Sequence, residues 1–229
     1  QPRSRGLGDV YKRQIKSLQW LNYIRWRGTQ SASPLEQAPE KPVIPREQII
    51  DLTAQFSAEK GINWQVPAGK WTILRIGHTW TGQLTLPAPP AGVGPECDKL
   101  NPRGIRQHFQ HIMKRFAELG GQSTGKQFHT FFMDSWEAGG QNWTETMPAE
   151  FKKRRGYDIY PYLPVLTGRL VDDLQSSERF LYDLRLTVAE LLNESFWNEL
   201  QQLCRQQHMR LAVQPLSLIH ISEPTRPRL

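Results

Sequence analysis

Apolar positions after residue 100 follow two rhythms. Ile105, Phe109, Ile112, Met113, Phe116 and Leu119 recur at helical spacing, and Gly120-Gly121 predicts where that helix stops. A longer stripe, Phe180, Leu181, Leu184, Val188, Leu191, Leu192, Phe196, Leu200 and Leu203, predicts an amphipathic helix from near Ser176-Ser177 to about Gln207. Between the two, Thr146 and Pro148 open a third helix with Glu150 in its first turn. Lys152-Lys153-Arg154-Arg155 before Gly156 predicts its end, because cations offset the negative pole of the helix and glycine accepts the left-handed turn. Two short apolar runs, His129–Met133 and His208–Pro215, have strand length. Strands alternating with helices indicate an α/β fold built on a parallel sheet or barrel.

Before residue 90 the rhythm changes. Ile49–Thr53, Ile62–Val66 and Trp71–Gly77 are short, imperfectly alternating and rich in β-branched and aromatic residues, as strands are. Pro67-Ala68-Gly69-Lys70 predicts a turn, so Trp64 and Trp71 should flank a hairpin. Pro87–Pro95, rich in proline and glycine, follows as a linker or pinned loop. The chain therefore divides into a β-rich segment over 15–90 and an α/β segment over 91–215.

Composition then narrows the function. The chain has 29 Lys and Arg against 22 Asp and Glu, a net charge of +7. Its ends, including Gly8–Gln14 and Ser217–Pro227, resemble translated sequencing-adapter sequence, so 1–14 and 216–229 are expected to be artefactual tails. They carry six of the cations and two of the anions, leaving 23 against 20 and no clustered basic face for nucleic acid. No apolar run is long enough to span a membrane. Cys97 and Cys204 have no partner at metal-finger spacing and define no disulfide framework. Asn142-Trp143-Thr144 and Asn193-Glu194-Ser195 match the glycosylation sequon, a weak pattern.

The densest chemistry lies just after the first of the two strands. Asp134-Ser135-Trp136-Glu137-Ala138-Gly139-Gly140-Gln141-Asn142-Trp143-Thr144 puts two carboxylates, two indoles and two amides into one loop. Loops at strand ends are where barrel enzymes hold their chemistry. Carboxylates handle protons and indoles cover the apolar face of a pyranose, which suits sugar cleavage. Each residue also has a plainer reading. Trp136 and Trp143 would floor a sugar subsite or simply pack, and Asn142 would bond a hydroxyl or brace the loop. Asp134 would bind sugar hydroxyls or a cation, or cap the loop. Asp98 and Lys99 in Glu96-Cys97-Asp98-Lys99 would lie near the site or form an ordinary ion pair. His78 reads as a surface histidine.

Taken in order, Trp64–Thr72, Glu96-Cys97-Asp98-Lys99-Leu100, Asp134-Ser135-Trp136-Glu137 with Gln141-Asn142-Trp143-Thr144, and Arg155-Gly156-Tyr157-Asp158 resemble glycoside hydrolase family 106, the α-L-rhamnosidases. The resemblance spans nearly all of residues 45–215. It implies a (β/α)8 catalytic barrel with β-sandwich domains around it, so that 91–215 would be a partial barrel preceded by a sandwich-like segment. It implies inverting, calcium-assisted cleavage of terminal α-L-rhamnose from a polysaccharide or glycoside, in a periplasmic or extracellular setting. Glu137 matches the family's general acid, and its plainer reading is a structural carboxylate. The calcium ligands and the second carboxylate are not identifiable, and the latter is expected beyond residue 215. A barrel of about 250 residues does not fit between 91 and 215, so this chain is expected to be an internal fragment, inactive alone. Two other readings stay open: a non-catalytic carbohydrate-binding protein, and a barrel glycosidase for another sugar.

Overall fold

A computed structural model describes residues 43–85, 88–120, 123–134 and 141–214. In chain order the elements are β1 (Val43–Ile44), β2 (Phe56–Ser57), β3 (Gly61–Ile62), α1 (Pro102–Gly120), β4 (Thr130–Met133), α2 (Met147–Arg155), a 3₁₀ helix (Tyr160–Thr167), β5 (Leu170–Val171), α3 (Leu174–Leu192), a π-helical segment (Asn193–Asn198), α4 (Glu199–Gln206) and β6 (Arg210–Val213). The chain forms two compact units. Among the described residues, one combines 43–79 with Glu145–Thr187, and the other combines Trp80–Thr144 with 188–214.

In the first unit, α2 begins and ends as its sequence requires. Pro148 lies in the first turn, where a missing N–H costs nothing. Gly156 takes φ 81°, and its N–H donates to the Lys152 carbonyl at 2.9 Å. Phe151 is fully buried, edge-on to Tyr157 at 5.0 Å and tilted against Phe180 at 5.8 Å. Burial of one such ring contributes about 1.5–3 kcal/mol. The Arg155–Asp158 motif is spent here on structure. Arg155 Nε donates to Thr187 Oγ1 at 3.0 Å, Tyr157 donates to Asp183 at 2.9 Å, and Asp158 accepts the Tyr160 N–H at 3.0 Å. Burial, with the Asp183 carboxylate beside it, pushes the Tyr157 phenol above its usual range.

Parallel pairing of β1 with β5 brings Val43 opposite Leu170 and Ile44 opposite Val171. Asp172, left-handed at φ 60°, accepts the Arg46 backbone N–H at 2.8 Å, while Arg46 Nη1 donates to Tyr162 at 2.9 Å. Asp173 caps α3 by accepting the Ser176 N–H at 2.6 Å.

In the second unit, β4 and β6 pair in parallel, Thr130 with Arg210 through Met133 with Val213. This is the α/β arrangement that the apolar rhythm predicts. Phe131 and Met133 turn inward against a core of Ile105, Phe109, Phe196, Leu200, Leu203, Cys204 and Met209. Arg106 joins α1 to α4 by two bonds to Glu199, at 2.7 and 3.0 Å. At the end of α4, the Met209 N–H reaches the Cys204 carbonyl and the His208 N–H that of Arg205, a Schellman closure with His208 at φ 56°.

One expectation needs correction. The strands expected at 49–53, 62–66 and 71–77 do not form; apart from the two-residue β3, which overlaps the second of them, those stretches carry no strand. The only hairpin near them among the described residues is β2–β3, with Phe56 opposite Ile62. Trp64 and Trp71 do meet, edge to face at 5.3 Å, but through a turn in which the Trp71 indole donates to the Pro67 carbonyl. An alternating stretch becomes a strand only when a neighbour takes its backbone groups, and Val66, Trp71, Ile73 and Ile76 are exposed. The described strands form three separate pairs.

Candidate functional site

The site is built where Glu96–Leu100 meets Gln141–Thr144. Asp98 accepts the Leu100 N–H through Oδ1 at 2.9 Å and the Thr144 hydroxyl through Oδ2 at 2.7 Å. The Gln141 side chain bridges the same loop. Its Nε2 donates to the Cys97 carbonyl at 2.7 Å, and its Oε1 accepts the Lys99 N–H at 2.8 Å. Lys99 pairs with Glu96, and the two side chains are only 9% and 16% exposed. Thr144 is buried as well. Gly104 permits this packing, because a Cβ there would stand 3.1 Å from the Asp98 carbonyl oxygen.

Desolvation sets the local electrostatics. Burial pushes the Cys97 thiol up, against the pull of Lys99, which favours its protonated form. Desolvation lowers the His108 imidazole, with the Glu96 carboxylate acting in the opposite direction.

Of the residues singled out from sequence, Asp98, Lys99, Asn142 and Trp143 come together in these two loops. Both oxygens of Asp98 and the ammonium of Lys99 are engaged by neighbours within the site. Asn142 and Trp143 are half-buried, and Asp134 is exposed one residue past β4. Trp136 and Glu137 lie outside the described residues. His78 is exposed and makes interactions of its own. Gln141, Glu96 and Thr144 were not expected as site residues. Their signal was faint: each stands within a motif, but their partners lie up to 46 residues away. Among the described residues, no three His, Cys, Asp or Glu side chains gather as a cage for a metal ion.

β4 and β6 thus form a parallel strand pair, and the sequence that follows β4 carries carboxylates and indoles. The family described as alpha-L-rhamnosidase matches residues 18–215, and the chain belongs to it: glycoside hydrolase family 106. A protein from Formosa agariphila named "Putative beta-glucuronidase" is 35% identical over 177 residues, covering 77% of this chain and 15% of the relative. A solved rhamnosidase from Novosphingobium sp. PP1Y is 30% identical with a TM-score of 0.66, covering 75% of this chain and 17% of that one. The chain thus spans about a sixth of the length of these relatives.

Proposed function

We propose that this chain is one portion of an inverting glycoside hydrolase that releases terminal α-L-rhamnose, with Glu137 as the general acid. The family match over 18–215 carries this reading. Inversion requires a protonated acid at the leaving oxygen and a carboxylate that activates water on the other face of the ring. About 6.5–9.5 Å separates the two groups. Glu137 supplies the first. Asn142 and Trp143 contact the sugar from a loop held by Asp98 and Lys99. Calcium, implied by family membership, would polarise sugar hydroxyls when bound.

A second reading, cleavage of a glucuronide, is favoured by the name of the Formosa relative. A uronate carboxylate calls for a cation beside it, and Lys99 is paired with Glu96. The test is release of aryl alcohol from aryl α-L-rhamnoside and aryl β-glucuronide by the full-length enzyme, with and without chelator. Glu137→Gln should lower rhamnoside turnover by about 10²–10⁴-fold while binding persists. Turnover of the glucuronide alone would transfer the activity to the second reading. Binding without turnover of any glycoside would make the protein a carbohydrate-binding one.

A further inference from the structure

We infer that Gln141 is a positioning residue, whose side-chain amide fixes Asn142 and Trp143 for the sugar; this rests on the hydrolase reading above. Gln141 Nε2 donates to the Cys97 carbonyl at 2.7 Å and Oε1 accepts the Lys99 N–H at 2.8 Å. One planar amide thus takes both a backbone acceptor and a backbone donor, as a neighbouring strand would. The loop it grips is itself held by several contacts. Lys99 and Leu100 are buried, Asp98 closes a turn onto the Leu100 N–H, and Glu96 holds the Lys99 ammonium. Three residues on, Thr144 makes a second attachment to Asp98 at 2.7 Å. Asn142 and Trp143 therefore lie between two anchors on one loop. A side chain spanned this way keeps its place without sugar present, and that preorganisation strengthens binding by removing an ordering cost.

The experiment compares Gln141→Met and Gln141→Ala with the unmodified full-length enzyme on an aryl α-L-rhamnoside. Peptide-level hydrogen exchange over 97–100 and 141–144 accompanies the kinetics. Met nearly keeps the volume and loses both hydrogen bonds. Both variants should raise KM about five- to tenfold with kcat changed less than twofold, and should exchange faster in both segments. Restoration of KM by Met would show that the side chain only fills space, and would overturn the positioning role. Unchanged KM in both variants, with turnover intact, would overturn it too. Absence of turnover in the unmodified enzyme would sink the hydrolase reading instead, and with it any role of Gln141 toward rhamnose.

Discussion

Gly125 shows how much one hydrogen atom can decide. It sits at φ +78°, and a Cβ added there would stand 3.0 Å from His208 Cβ and 3.1 Å from the Gln207 carbonyl oxygen. Both neighbours belong to the closing turn of α4, where His208 is itself left-handed. Gly125→Ala should therefore cost about 1–2 kcal/mol from the backbone conformation alone. A lowered urea midpoint with an unchanged slope would register it. An unchanged midpoint would mean that the 123–128 turn yields instead. The sequence did not announce this contact. Glycine or asparagine usually marks a left-handed helix end, and a histidine in that place leaves no local signature.

The long helical stretches were legible from their apolar period, and α2 from the residues at its ends. Phe180, Leu181, Leu184, Leu191, Phe196, Leu200 and Leu203 are all buried, as the long stripe predicts. The stripe of α1 is legible only in part. Ile105 and Phe109 are buried, but Phe116 and Leu119 are exposed, the latter to 83%. Strands fare worse, since their pattern reports a willingness to pair and not the presence of a partner. Capping supplies the test at this scale. The Ser176 backbone N–H, followed by the Ser176 side chain, holds the Asp173 carboxyl below the usual aspartate range. Its folded value is thus lower than its unfolded one. The stabilisation is present above the ordinary aspartate pKa and is lost as the pH falls through the folded value. Asp173→Asn caps the helix without titrating, so its stability should fall less steeply with acid below about pH 4. Circular dichroism melts across that range would show it, and identical acid limbs would remove Asp173 from the account.

The whole molecule presents an apolar face around β4. Phe132 is 63% exposed, Phe128 stacks on Phe116 at 6.0 Å, and beside them lies a cavity of about 280 Å³ reaching to Ile112 and Met209. Exposed strands and patches of this kind favour association. The chain should self-associate with rising concentration, and Phe132→Lys should reduce it; sedimentation that is independent of concentration would contradict this. At the same scale the candidate site was only half legible. The loop chemistry after β4 stood out, whereas the bracing of Gln141 depends on a carbonyl and an N–H group 44 and 42 residues upstream. Such groups are the same in every residue, so no reading of side chains could find them. That has a consequence for inheritance. Gln141 addresses main chain, so its grip would survive replacement of Cys97 by other residues of fitting size. Drift should spend itself on position 97 and be held at position 141.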